Sequence, residues 1–276
     1  MIRECFDMSH YEQRIAMARS AHANLNDSYK ADAEEIPILS QHLKKVDNID
    51  FDAVHQYGLI HVTADILILD STNMVLLHSR RDPVNTEHGI LTTSAGGHCQ
   101  SDEIPIDTAV RELTEELGLV PLRREEIYCL SHNDVGWTNY VFSLVYTAPN
   151  KMLSLVWDDP FADEPRCFHT FGNVQVPSVS RRSFGSPWEP VTQYDGMRLS
   201  RWQFNQELCH YFVIRFRPSE LRSLKIDPSE VCGIRYCSID ELSDLCKSPD
   251  ATDSLWCLAR NGGIESMKLW LNQTGR

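Results

Sequence analysis

The chain has 276 residues, of which 42% are apolar and 24% charged, and its formal net charge is −13. This length suits one large domain or one domain with additions, and the composition is that of an ordinary soluble protein. The acidic balance argues against binding a nucleic-acid polymer or an anionic membrane, which needs excess Lys and Arg; a phosphorylated small molecule stays open, because bound divalent cations reverse the local sign of a site.

Nine cysteines are scattered without the short paired spacing of a structural zinc site, and an odd count reads as reduced thiols in a cytoplasm. Met1–Gln13 carries Arg, Glu, Asp and His with no apolar segment, so no secretory signal is expected. Apolar runs such as Ile66–Leu69 are far short of a membrane span.

From about Met8 to Val46 the chain is helix-prone. Ile15, Ala18, Ala21 and Leu25 recur at helical spacing, as do Ile36, Leu39 and Leu43. This predicts an N-terminal helical extension over residues 1–54, packed on a main domain over 55–276; a homodimerisation arm is the alternative. Val62–Leu69 predicts a buried strand, Asp70–Asn73 a turn and Met74–Ser79 the second strand of a hairpin. Ile90–Ser94 is a short extended piece that runs into Ala95-Gly96-Gly97. A helix follows, then strands near Glu126–Leu130 and Tyr140–Thr147. Residues from about 149 to 200 are punctuated by Pro160, Pro165, Pro177, Pro187 and Pro190, with Gly172, Gly185 and Gly196. They read as a long insertion rather than a second domain, and loops of this length are often functional. Strand pattern resumes at Glu207–Phe216 and Val231–Cys237, and Asp240–Cys246 and Thr252–Leu271 predict helices.

The stretch from Ser94 to Leu119 is the informative one. Asp107 is placed to cap a helix N-terminus, and Gly118 suits a left-handed residue just past its end. At about 100° per residue, Glu112, Glu115 and Glu116 share one arc, beside an apolar arc of Ala109, Val110, Leu113 and Leu117. Like charges at these spacings weaken an isolated helix. A cluster of hard oxygen ligands for Mg²⁺ or Mn²⁺ offsets that repulsion; a solvated acidic face is the alternative.

The same residues spell G-x5-E-x7-R-E-U-x-E-E-x-G-U, with U a bulky aliphatic: Gly97, Glu103, Arg111, Glu112, Leu113, Glu115, Glu116, Gly118 and Leu119. A chance match is on the order of one in ten million at average residue frequencies. The chain resembles the Nudix superfamily, whose box this is. The resemblance implies an α/β fold, an α/β/α sandwich around a mixed sheet, with the box as loop–helix–loop. It implies Glu112, Glu115 and Glu116 as metal ligands with the Gly97 carbonyl as a further one, and Glu103 paired with Arg111 to orient the helix. Glu116, Glu115, Arg111 and Glu103 are thus the candidate catalytic residues, with Glu116 or a carboxylate outside the box as base.

Val54–His61, Ser79–Pro83, Thr93–His98 and Gln206–Cys209 resemble the branch that contains type I isopentenyl diphosphate isomerases. The isomerase cysteine falls on Gly96; Cys99 is not equivalent. Its second carboxylate matches Glu207, but the partner two residues earlier is Asn205. These departures favour hydrolysis. Glu207 is retained as an additional metal ligand or base, and His98, Arg80 and Arg81 as contacts to phosphate. In the isomerase manner, His55 and His61 also reach towards the site. The expected activity is metal-dependent hydrolysis of a diphosphate linkage, in a nucleoside diphosphate linked to another moiety or a related organic diphosphate. Aromatic residues of the insertion, among them Trp157, Phe161, Phe184 and Trp188, are placed to stack on a base or to form its own small core. The alternatives are an isomerase-like enzyme and a non-catalytic Nudix-fold nucleotide sensor.

Overall fold

The computed structural model of the protein describes residues 10–24, 34–80, 90–121, 123–131, 136–148, 151–157, 167–171, 193–194, 197–248 and 251–274. In chain order the elements are α1 (Tyr11–Ala23), β1 (Glu35–Leu39), β2 (Lys45–Asp50), α2 (Phe51–Gln56), β3 (Ile60–Leu69), β4 (Val75–Arg80), β5 (Ile90–Thr92), β6 (Ala95–His98), α3 (Pro105–Leu117) and β7 (Tyr128–Cys129). There follow β8 (Trp137–Ala148), β9 (Lys151–Trp157), β10 (Cys167–Phe171), β11 (Gln193–Tyr194), β12 (Met197–Arg215), α4 (Pro218–Leu221), β13 (Val231–Cys237), α5 (Ile239–Leu245), α6 (Asp253–Arg260) and α7 (Gly263–Thr274). They fall into two compact units, one of Met1–His61 with Asn139–Glu207, the other of Val62–Thr138 with Leu208–Arg276.

In the first unit the expected helical extension is corrected in its middle. Ile36 and Leu39 lie in a hairpin, β1 pairing with β2 from Glu35 opposite Asp50 to Leu39 opposite Lys45. Pro37 has no amide to donate and breaks a helix interior, while the β-branched Ile36 and Ile38 suit a strand. The turn is closed by the Leu43 amide on the Ser40 carbonyl at 2.9 Å, with Leu43 at φ 57°. Helix survives on either side, in α1 and in α2, whose cap is Asp50 accepting from the Ala53 amide at 3.1 Å. Helix α1 buries Tyr11, Ile15 and Ala18. The Tyr11 hydroxyl donates to the Leu39 carbonyl at 2.6 Å and accepts from the Ile60 amide at 2.7 Å.

The region expected as an insertion contributes strands to the same unit. Antiparallel β8 and β9 pair from Phe142–Trp157 to Ala148–Lys151, β10 pairs with β9, and β11 pairs with the start of β12. Strand β12 begins ten residues before the expected start at Glu207. Phe161, Phe184 and Trp188 lie outside the described residues.

The second unit has an α/β architecture of three layers. Strand β4 pairs antiparallel with β3, β5 and β13, and β6 pairs with β3. A parallel bridge between Leu91 and Ala251 makes the unit mixed. The β3–β4 turn forms as read: Asp70 Oδ1 accepts from the amides of Thr72 (2.7 Å) and Met74 (2.9 Å), and Asn73 takes the left-handed conformation at φ 65°. Because β3 is covered on both faces, its second half, Ile66–Leu69, is apolar throughout rather than alternating. Leu67, Leu69, Val75, Leu77, Tyr211 and Val213 face Leu242, Leu255, Leu258 and Met267 of α5–α7. Ile66, Ile68, Leu76, Phe212 and Ile214 face Ala109, Leu113 and Leu117 of α3. The single helix expected over Thr252–Leu271 is two, broken at Asn261-Gly262 where Gly262 takes φ 80°. The sandwich thus holds α3 flat against the sheet by its apolar stripe.

Candidate metal and active site

Helix α3 starts two residues before Asp107, at Pro105, with Ile104 as its uncapped N-cap. The capping role expected of Asp107 is therefore corrected: its carboxylate forms an ion pair with Arg124. Proline at the first turn loses no helical hydrogen bond and presets φ, which places the boundary. The other end is as expected. Gly118 is left-handed at φ 64°, its amide donating to the Thr114 carbonyl at 3.0 Å.

On this helix Arg111 works as a clamp. Its Nε and Nη2 donate to the two Glu103 oxygens at 2.7 and 3.1 Å, Nη1 to Glu112 at 2.7 Å and Glu115 at 2.9 Å, and Nη2 also to the His98 carbonyl at 3.0 Å. Glu103 accepts in addition from the Gln100 amide (3.0 Å) and the Thr108 hydroxyl (2.8 Å). One guanidinium thus ties the loop after β6 to three acids, and the planar fork of Arg suits the bidentate part of that task.

The three helix carboxylates are not equivalent. Glu112 and Glu116 are buried, at 8% and 5% exposure, while the Glu115 side chain is 57% exposed and leans to Arg111. Burial, opposed by Arg111, pushes the Glu112 carboxyl up to about 7. Burial and the charges of Glu112 and Glu230 push Glu116 up to about 9, with Arg80 opposing and Asp65 adding to the repulsion. Glu116 Oε2 has no hydrogen-bond partner among the described residues. It lies 3.5 Å from His78 Nδ1, but burial holds His78 down at about 4. That ring is neutral near pH 7, and its Nδ1–H is directed to the Ser94 carbonyl at 2.9 Å. The contact is therefore no ion pair. A buried carboxylate oxygen without a donor is destabilising unless a cation meets it.

The glycines of β6 make room for these acids. A Cβ on Gly97 would lie 2.7 Å from Glu112 Cδ, so a bare backbone is required where Glu112 folds against the strand. Gly96 stands opposite Asp65 in the β3–β6 ladder, and a Cβ there would meet Asp65 Oδ1 at 2.6 Å and the Ala64 carbonyl at 3.0 Å. Asp65 itself accepts from the Thr93 hydroxyl at 2.6 Å. Hard oxygen donors, an unpartnered buried oxygen and the Gly97 cradle fit a divalent cation held against Glu112 and Glu116.

The other expected site residues are distributed unevenly. Arg80 is exposed at the end of β4, and its charge acts on Glu116. Arg81 lies outside the described residues. His98 is half-buried at the end of β6. Glu207 belongs to the first unit, where it accepts from Asn205 Nδ2 at 2.6 Å. His55 and His61 are buried in that unit with ring centroids 4.9 Å apart, each Nδ1 on a local carbonyl. Sequence reasoning missed Asp65 and Glu230. Asp65 carried a signal, as a lone acid inside an apolar strand. Glu230 carried no such signal, since nothing in its spacing linked it to α3.

Comparison with known proteins finds likenesses to parts of the chain. Residues 59–166 match the family model of the NUDIX domain. An uncharacterised Nudix hydrolase from Rhodococcus erythropolis is 32% identical over 109 residues, 35% of this chain and 58% of the relative. An isopentenyl-diphosphate Delta-isomerase from Serratia proteamaculans is 38% identical over 65 residues, 24% of this chain and 36% of the relative. The chain thus spans about half or less of the length of the curated relatives it matches. A crystal structure of a Deinococcus radiodurans protein superposes with a TM-score of 0.44 at 14% identity, covering 82% of this chain and 98% of that one.

Proposed function

We propose, from the match of residues 59–166 to the family model of the NUDIX domain, that this chain hydrolyses a diphosphate linkage with Mg²⁺ or Mn²⁺ bound to the box helix. The substrate class is a nucleoside diphosphate linked to another moiety, or a related organic diphosphate. The observation that carries the reading is the pair of buried carboxylates, Glu112 and Glu116, one oxygen of which meets no donor. Glu112, Glu115 and Glu116, with the Gly97 carbonyl and Glu207, are the proposed ligands. When bound, the cation neutralises the diphosphate, polarises a P–O bond and lowers the pKa of the attacking water.

The chain's own residues supply the rest. Glu103 and Arg111 fix the helix so that its acids keep one geometry, and positioning of this kind is worth several kcal/mol to a reaction. Arg80, Arg81 and His98 are the proposed grips on the phosphate oxygens. Water adds to one phosphorus, the bridging P–O bond breaks, and the proton lost by water passes to a carboxylate of the cluster. Two phosphate-bearing fragments leave.

The isomerase reading has one specific point for it, the 65-residue likeness, and one against it. A thiol at position 96 would have to displace Asp65 and crowd the Ala64 carbonyl. The nucleotide-sensor reading predicts binding without turnover. A cytoplasmic location, action on free small molecules rather than polymers, and pairing into a homodimer belong to the same proposal. Incubation with Mg²⁺ and a panel of ADP-ribose, dinucleotides, nucleotide sugars, nucleoside triphosphates and isopentenyl diphosphate separates the readings. Phosphate-bearing fragments support hydrolysis, and an allylic isomer or ligand retention without turnover overturns it. Glu116→Gln should remove most of the turnover.

A further inference from the structure

Side chains alternate along a strand, so β4 presents His78 on the same face as Leu76, the face on which α3 packs. His78 is paired on both edges of its strand, opposite Ile234 of β13 and Thr92 of β5, and is buried. Its ring meets two groups. Nδ1 donates to the Ser94 carbonyl at 2.9 Å and stands 3.5 Å from Glu116 Oε2. Ser94 is fixed in its turn. Its amide donates to the Ile66 carbonyl at 3.0 Å, and its hydroxyl accepts from the Ile68 amide at 2.7 Å and donates to the Leu76 carbonyl. The imidazole is therefore anchored on backbone that three hydrogen bonds lock to β3 and β4, directly ahead of β6 and its Gly97 cradle.

A buried imidazole with one N–H on a carbonyl is the neutral tautomer, because a second proton would be a buried charge. It has no positive charge to pair with Glu116. Oε2 has no hydrogen-bond partner among the described residues, so no hydrogen bond holds that oxygen in place. Contact with a fixed ring limits its rotation instead, and the rotamer freedom removed in this way need not be lost again when an ion arrives. We propose that His78 is a positioning residue of the site: its ring, anchored on the Ser94 carbonyl, is a buried stop that holds the Glu116 carboxylate turned to the cation without capturing it in an ion pair. The inference rests on the metal-site reading given above. An Arg or Lys at this place would neutralise Glu116 and compete with the ion. An aliphatic side chain would leave the Ser94 carbonyl without its donor and the ring's place without a fixed wall. Imidazole avoids both.

Mn²⁺ titration of the full chain, read by the electron-paramagnetic-resonance signal of unbound Mn²⁺, tests this without turnover. Wild type is compared with Glu116→Gln, His78→Leu, His78→Gln and His78→Asn, with thermal unfolding in chelator as the check on folding. The Asn amide nitrogen takes the place of Nδ1 and keeps the bond to Ser94, whereas the Gln nitrogen lies one bond further out. Groups that orient a metal ligand contribute about 10- to 100-fold to affinity. We therefore expect His78→Leu and His78→Gln to bind Mn²⁺ about 10-fold more weakly, and His78→Asn to stay within about 3-fold of wild type. A purely structural histidine would lower the unfolding temperature in His78→Leu and leave the affinity unchanged. Wild-type affinity in His78→Leu and His78→Gln, or in whichever of them folds, with binding lost in Glu116→Gln, overturns the His78 assignment and leaves the helix site standing. A loss in His78→Asn equal to that in His78→Gln does the same. No Mn²⁺ binding by the wild type overturns both.

Discussion

Replacing Glu116 with Gln should make the metal-free protein more stable. In the fold its carboxyl is pushed up to about 9 from an ordinary 4.5, first by burial and then by Glu112 and Glu230. An acid with a raised folded-state pKa contributes its full stability below the unfolded value, and loses it as pH rises through the folded one. The window here is 4.5 to about 9. At pH 7 the lost stability is (7 − 4.5) pH units at 1.36 kcal/mol each, about 3 kcal/mol. Gln has the same shape and no charge to suppress, so the variant recovers most of that. In a chain of this size the gain corresponds to a rise in Tm of roughly 6 °C. The assay is thermal unfolding in EDTA at pH 5 and pH 7. At pH 5 the same arithmetic leaves under about 1 kcal/mol, so the difference should nearly vanish. Saturating Mn²⁺ should reverse the order at pH 7, because a ligand at about 1,000 times its Kd adds about 4.1 kcal/mol to the form that binds it. A variant less stable than wild type in EDTA at pH 7, or equally stabilised by Mn²⁺, would refute the picture of a strained cation-binding acid.

Other perturbations test the supports of the site. Arg111→Ala leaves Glu103 and Glu112 without their cation and should cost about 2–3 kcal/mol in urea unfolding; a loss under about 0.5 kcal/mol would remove Arg111 as the clamp. Gly97→Ala should push Glu112 aside and weaken Mn²⁺ binding by about 10-fold, whereas unchanged affinity would show that the strand yields instead. The pH dependence also has an acid side. Burial holds His61 at about 4 against an ordinary 6.5, so the stability of a neutral ring is complete above pH 6.5 and drains as pH falls towards 4. By pH 4.5 the loss is about 3 kcal/mol. His61→Phe should flatten that limb in urea unfolding at pH 7, 5.5 and 4.5, and parallel profiles would count against it.

The readability of this protein differed along the chain according to which force dominates locally. Helix α3 was legible because three demands coincide on it: an apolar stripe, a glycine stop and a cluster of acids on one arc. Strands β3, β4 and β13 were legible from β-branched apolar runs bounded by turn residues. The hairpin of β1 and β2 was misread because Ile36, Leu39 and Leu43 also fit a helical period; Pro37 was the deciding residue. The start of α3 was misplaced for the reverse reason, since Asp107 satisfies a capping pattern but Pro105 claims the first turn. Within the site, Glu103, Arg111, Glu112 and Glu116 follow from local spacing. Asp65 meets it through sheet pairing and Glu230 through its charge on Glu116, at sequence separations that no periodicity encodes.

A single phenol oxygen, that of Tyr11, bridges the backbone of Leu39 and Ile60, joining three stretches that are far apart in the chain. Any version lacking α1 would strand a buried acceptor and a buried donor, the Leu39 carbonyl and the Ile60 amide, each worth about 1–3 kcal/mol when left dry. Helix α1 is thus a structural keystone of the first unit, and trimming it would loosen the hairpin and the strand start that it ties together.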